Sequence, residues 1–373
     1  MLFQTLLIVG LLLLGIFLTS AKKVFGNKLY LLISFFTLFI LSAFRSINIG
    51  NDTEDYLYMF QNFGQSQDIF GIDTRIEIGY VALNKVLFLI SSNPLILFGV
   101  TSAFVIGVFM LFMYKNSNIF WFSVFLFINL RIYYFTLSGI RQAIALAIIL
   151  ISYKFIKERK PIPFSLLVLL ASSFHASAIF FFLVYPLSKI KYSKKVMLMY
   201  TFVGGVLFLT FNYTIGIILN ILPQYENYLS SSYFESIKLA SIIDFIIILL
   251  IFLFGLFTSH RFLSSADRRL VEENSKNSSG SSSLNILLHI ISLAVMITFI
   301  AINGAVIKRA ALYFFMFAVI FIPYTIQNIK NKKVRVLTLY LIFVLVFAYN
   351  LIILIYRPEW QRVYPFEFFW QLK

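Results

Sequence analysis

The 373-residue sequence has no cysteine, three histidines, eight prolines and 12% charged residues. Without cysteine there is no disulfide, no thiolate nucleophile and no Cys-ligated metal. His175, His260 and His289 are too widely spaced for a metal-ligand pattern, and no D-x-D triplet pairs carboxylates. No metal and no cofactor are therefore expected. Charge this sparse excludes an ordinary soluble domain, where charged residues approach about a quarter of the chain. No repeat of the inverted kind that builds many transporters is visible. No basic residue precedes the first apolar run, Leu2 to Ser20, and no small-residue cleavage site follows it, so it reads as a permanent helix rather than a signal peptide.

The sequence is instead 60% hydrophobic, with 45 phenylalanines and a mean hydropathy of +0.90. Apolar runs recur at about 20 residues, the length that crosses a hydrocarbon core of about 30 Å. The expected fold is an all-α polytopic membrane protein, a single integral domain over residues 1–373 with an external-facing cavity. It would be a bundle of about 11–13 transmembrane or re-entrant helices. A net charge of +16 invites a nucleic-acid reading. The basic residues cluster in short loops between apolar spans, however, as the positive-inside rule requires, so no nucleic acid is expected.

The basic loop Lys22-Lys23…Lys28 places the N-terminus outside. A second helix, about Leu29 to Phe44, exits at Arg45. The external segment 45–77 then carries Asp52, Glu54, Asp55, Asp68, Asp73, Arg75 and Glu77. Within it, Asp52-Thr-Glu-Asp-Tyr56-Leu-Tyr58 begins with N-cap chemistry and turns amphipathic, predicting a short interfacial helix over the cavity mouth. Residues Ile76 to Ser92 carry Glu77, Asn84 and Lys85. If they spanned the membrane, the later basic loop Lys154…Lys160 would fall outside, so a re-entrant or interfacial helix is preferred. Spans follow at about Pro94–Tyr114, Ile119–Phe135 and Ile140–Ile156. The apolar run Ile162–Leu187 is basic at both ends, which predicts two half-length helices meeting near His175, as happens where irregular backbone lines a wet cavity. Further spans are Met197–Ile221, Ser241–Ser259, Leu284–Gly304, Arg309–Gln327 and Val336–Tyr356. Between them lie an external loop, Pro223–Lys238, and a flexible cytoplasmic connector, 260–283. The segment 357–373 is an external tail.

With this topology lysine dominates the cytoplasmic loops, whereas arginine dominates outside. Lysine suffices for a topology signal, but arginine is the side chain that grips phosphate oxygens with two donors. Arg45, Arg75, Arg131, Arg141, Arg309, Arg357 and Arg362 therefore point to an anionic ligand, a phosphate first. Interhelical ion pairs or snorkelling would account for the same residues one at a time. His175 titrates in the range a general base needs. Asp52, Asp55 and Glu77 are rival bases, or groups that orient an arginine or a sugar. His289, alone on an apolar helix, reads as structural, and His260 as solvated. Tyr56, Tyr58, Tyr133, Tyr134 and Trp360 can stack on sugars, although aromatic residues also populate membrane interfaces.

An ordered series of short motifs resembles the EpsG-type, Wzy-like bacterial polysaccharide and O-antigen repeat-unit polymerases. It runs Arg45…Asp52…Asp55-Tyr56, Glu77-Ile-Gly79-Tyr80, Gly139-Ile-Arg141-Gln142 and Phe174-His175-Ala-Ser177-Ala178. It closes with Lys308-Arg309…Tyr313-Phe314 and Trp360…Tyr364-Pro365-Phe366. The resemblance implies an inner-membrane glycosyltransferase with a fold like the GT-C type. Such an enzyme moves a growing glycan from undecaprenyl diphosphate to the non-reducing end of a lipid-linked repeat unit on the outer face. It implies a lipid-linked oligosaccharide substrate, surrounding membrane lipid and a chain-length regulator as partner. The expected catalytic residues are His175, Arg141, Asp55 and Glu77. The expected diphosphate and glycan contacts are Arg45, Asp52, Tyr56, Arg131, Tyr133, Arg309, Tyr313, Trp360 and Tyr364. A flippase for lipid-linked oligosaccharide and a membrane sugar O-acyltransferase are the competing readings.

Overall fold

A computed structural model describes residues 2–20, 23–66, 76–221, 239–258, 279–304 and 307–371. Arg75, Asp68, Asp73, the loop 223–238 and most of the connector 260–283, His260 included, lie outside the described residues. In chain order the helices are α1 (Leu2–Ser20), α2 (Lys23–Ala43), α3 (Thr53–Gln65), α4 (Ile78–Ile90), α5 (Leu95–Asn116), α6 (Phe120–Asn129), α7 (Ile132–Ser138) and α8 (Ile140–Lys157). They continue with α9 (Pro161–Ser172), α10 (Val184–Ser188), α11 (Lys194–Leu209), α12 (Phe211–Ile221) and α13 (Leu239–Thr258). The last are α14 (Ser279–Ile300), α15 (Lys308–Phe315), α16 (Ala318–Gln327) and α17 (Lys332–Tyr356). Among the described residues the only extended pairing is an isolated bridge between Arg45 and Phe368.

Five of these helices are long and apolar enough to cross a membrane, and up to eight spans result if each bent pair counts as one. The protein is therefore an all-α, multi-pass membrane protein. At 13 residues α4 is about 20 Å long, too short to span a core of about 30 Å. This agrees with the re-entrant or interfacial reading of Ile76–Ser92. The run after Pro161 breaks where a pair of half-helices was expected. α9 stops at Ser172, Ser173 to His175 form the break, and a 3₁₀ helix covers Ala176–Leu183 before α10. Three runs expected to be single helices are instead bent. α6 and α7 meet at 51°, α11 and α12 at 86°, and α15 and α16 at 42°. At the first bend Arg131 adopts the left-handed conformation, φ 65°, which ends a right-handed helix.

Contacts divide the chain into two compact units. The first comprises Met1–Lys154, Leu166–Ala176 and Ile329–Lys373. Within it α2 packs on α5, α1 on α2 and α6, and α3 on α4, while α17 lies along α6. α3 buries Thr53, Tyr56, Phe60 and Phe63, one helical face, and leaves Glu54, Asp55 and Tyr58 in the open. The second unit comprises Phe155–Ser165 and Ser177–Asn328. It is organised around α14, which packs against α10, α11, α13, α15 and α16.

Candidate functional site

Glu77 immediately precedes α4, outside any candidate span, and gathers three donors. Its Oε2 accepts from Arg141 NH1 at 2.5 Å. Its Oε1 lies 3.3 Å from His175 Nδ1 and accepts from the Ala176 backbone N–H at 3.0 Å. Thus α8, through Arg141, and the break after α9, through His175 and Ala176, meet on one carboxylate at the start of α4. Burial pushes the Glu77 carboxyl up. Hydrogen bonding from His175 and the charge of Arg141, with the Ala176 amide, overcome that and hold it at about 2. The group is therefore a permanent anion at neutral pH. Because a carboxylate only accepts, His175 presents its proton at Nδ1 and keeps the basic lone pair on Nε2.

Two features of the first unit support this arrangement. The N–H of Gly79 donates to Ser173 O at 2.8 Å, docking the first turn of α4 on the break before His175. A Cβ at Gly79 would stand 2.5 Å from Ser173 Oγ and 2.6 Å from its carbonyl oxygen, so this approach requires glycine. Above the ion pair, the Tyr56 hydroxyl bonds the Arg141 guanidinium, and the Tyr56 ring packs edge-on against Tyr80 at 5.6 Å. Arg141 Nε is buried and makes no hydrogen bond among the described residues.

The arginine at the bend is used differently. Arg131 is 3% exposed, and it donates to Gln361 Oε1 at 3.1 Å, Asn350 Oδ1 at 3.2 Å and Trp360 O at 2.9 Å. Tyr134 and Trp360 place their ring faces within 5.1 and 5.2 Å of the guanidinium carbon. Arg131 thus clasps the segment 357–371. That segment is pinned again by Ser46 N–H on Glu367 O, Gly50 N–H on Arg362 O, and Gln4 Nε2 on Val363 O. Gly50 can face Arg362 because it has no side chain: φ is 89°, and a Cβ would lie 2.5 Å from Leu137 O. Tyr364, preceding a cis proline, is exposed, and so are Arg357 and Arg362.

The remaining candidates spread more widely than one constellation. Tyr133 is buried and donates to Leu38 O at 2.9 Å. Asp52 occupies the N-cap position of α3 but makes no side-chain cap bond, and Asp55 faces the open. Arg45 is wholly buried, and burial lowers it only to about 10, so it is cationic at neutral pH. Arg309 and Tyr313 belong to α15 in the second unit, where the adjacent Lys308 pairs with Asp244. His289, also in the second unit, has both ring nitrogens engaged, Nδ1 with Tyr200 OH at 2.8 Å and Nε2 with Ile190 O at 2.9 Å. Sequence reading missed the Ala176 amide and the Asn350 and Gln361 acceptors. Asn350 carried a signal, being a lone amide inside an apolar span.

A family model, described as the EpsG family, matches residues 28–368. Comparison with curated proteins and with solved structures returns no match.

Proposed function

Because the chain belongs to the EpsG family, we propose that it polymerises polysaccharide by joining lipid-linked oligosaccharide units at the membrane. Family membership supports a polysaccharide polymerase-like role, and the apolar helices make it a multi-pass membrane protein. The finer reading is a glycosyltransferase that takes a growing glycan from an undecaprenyl diphosphate carrier. It transfers that glycan to the non-reducing-end hydroxyl of the next carrier-linked unit, on the outer face of a bacterial inner membrane.

The observation that carries this reading is the single carboxylate shared by a guanidinium and an imidazole. In the transfer, the bond between the anomeric carbon and the diphosphate breaks, and a bond to the acceptor oxygen forms. The acceptor proton passes to His175 Nε2, and the carrier leaves as a diphosphate anion. Arg141 supplies fixed positive charge where the leaving group gathers negative charge, and its Nε–H has no acceptor among the described residues. Glu77 holds the imidazole in the tautomer that accepts the proton and stabilises the imidazolium that results. The two tasks are coupled. A diphosphate drawing Arg141 away from Glu77 leaves more of the carboxylate's charge on His175, which makes Nε2 a stronger base when the donor is in place.

The test is a null strain complemented with Arg141→Lys or His175→Ala, followed by analysis of carrier-linked intermediates. A polymerase defect accumulates single repeat units on the carrier outside the membrane. Single units trapped inside would identify a flippase. Polymer of normal length lacking an acyl group would identify an acyltransferase. Either outcome overturns the proposal.

A further inference from the structure

Arg45 is among the largest fully buried side chains of the protein, and its charge is not met by a carboxylate among the described residues. NH1 donates to Ser42 O at 2.5 Å, and the guanidinium carbon lies 4.3 Å from the centre of the Phe98 ring. Nε and NH2 are buried and have no hydrogen-bond partner among the described residues. The titratable groups whose charge reaches it are Tyr133, Tyr56 and Tyr80, all neutral at physiological pH. Burying a cation this way is costly unless an opposite charge compensates it.

Beside the guanidinium is a cavity of about 10 Å³, lined by Ser42, Thr101, Ser102 and Thr136 together with apolar Val105 and Ile140. That volume holds about one water-sized particle. Thr101 and Thr136 already donate to Leu97 O and Tyr133 O. Ser42 and Ser102 share one hydrogen bond at 2.6 Å, which leaves one hydroxyl proton between them. The donors left over are the Nε–H, the two protons of NH2 and that hydroxyl. They surround a space too small for a tetrahedral oxyanion. A water molecule fits the space but leaves the cation uncompensated, whereas a monoatomic anion accepts from every donor and neutralises the charge.

We infer that this cavity is a binding site for a single halide ion, chloride in the cell, held as the counter-ion of Arg45. It would set the geometry where the end of α2 meets α5, α7 and α8, all of which line the cavity.

The experiment is thermal unfolding of the full-length protein in detergent. Gluconate buffer at constant ionic strength is titrated with sodium chloride, bromide or sulfate. The expected result is a saturable rise in Tm with chloride and bromide, only the gradual non-saturating rise general to sulfate, and no saturable halide response in Arg45→Gln. Should Arg45→Gln fail to insert, the double variant Ser42→Ala/Ser102→Ala decides, since either hydroxyl alone would still offer one free proton. Losing one hydroxyl donor should raise the half-saturating chloride concentration about tenfold, the effect of one hydrogen bond to a charged group. A Tm indifferent to chloride, an equal saturable response to sulfate, a halide response retained by Arg45→Gln or an unchanged half-saturation point in Ser42→Ala/Ser102→Ala would each overturn the assignment.

Discussion

Replacing Glu77 by glutamine keeps the shape and one acceptor oxygen but removes the charge that Arg141 and His175 share. The side chain is 12% exposed and Arg141 is 19% exposed, so solvent compensates little. A carboxyl held at about 2 against an ordinary value of 4.5 corresponds to roughly 3 kcal/mol of native stability, at 1.36 kcal/mol per unit. The expected cost of breaking a buried pair from one side is also about 3–5 kcal/mol. Because the folded value is depressed, this stability is complete above about pH 5 and disappears as the pH falls from there toward 2. Glu77→Gln should flatten that part of the stability profile. On activity the loss should be larger, about 10²–10⁴-fold, because the imidazole loses both its tautomer and the partner of its cationic form. Two assays read these effects: thermal unfolding between pH 7 and pH 3, and gel analysis of polymer made in a null strain expressing the variant at wild-type level. A variant with wild-type polymer and an unaltered pH profile would refute the shared-carboxylate mechanism. A variant that is destabilised yet polymerises normally would leave Glu77 only a structural role.

Arg141→Lys keeps a cation near Glu77 but loses the guanidinium fork, so polymer should fall at least about 10²-fold while the protein still inserts; normal polymer would count against phosphate grip. Gly79→Ala forces a methyl against Ser173 and displaces the segment that carries His175. About 10²-fold lower polymer yield is expected with little change in membrane level, and unchanged yield would show that the approach is not needed. Arg131→Lys cannot reach Gln361, Asn350 and Trp360 together. It should lose about 3 kcal/mol and expose residues 357–371 to limited proteolysis, which an unchanged cleavage pattern would contradict. His289→Phe strands the Tyr200 hydroxyl and the Ile190 carbonyl, costing about 2–4 kcal/mol by thermal unfolding while the linkage made by the folded fraction stays the same; an altered linkage would bring His289 into the chemistry.

Much of the architecture was legible along the chain because membrane solvation acts on one segment at a time. Every backbone group in hydrocarbon must be satisfied inside its own helix, so apolar run length alone reports a span. The break near His175 was readable for a related reason: an apolar run bounded by basic residues at both ends does not fit as one crossing. The bends at Arg131 and Thr210 left no such mark. Arg131 holds a left-handed φ while Gln361, Asn350 and Trp360, more than two hundred positions away, take up its guanidinium.

The site divides in the same way. Arg141, His175 and Glu77 could be named from residue type, since a charge or an imidazole within apolar sequence is rarely idle. That one carboxylate joins them could not be read, because Glu77 lies 64 positions from Arg141 and 98 from His175, and the three meet only after α4, α8 and the break past α9 have packed. The arginines show the limit most plainly. By type Arg45, Arg131 and Arg141 are equivalent cations. Arg141 meets a carboxylate, Arg131 a set of neutral acceptors and Arg45 a small cavity, because a buried charge takes its role from whichever groups the packed helices bring within a few ångströms. Sequence determined that these cations lie in or beside apolar runs, where a charge is costly. Tertiary structure decided what each one holds.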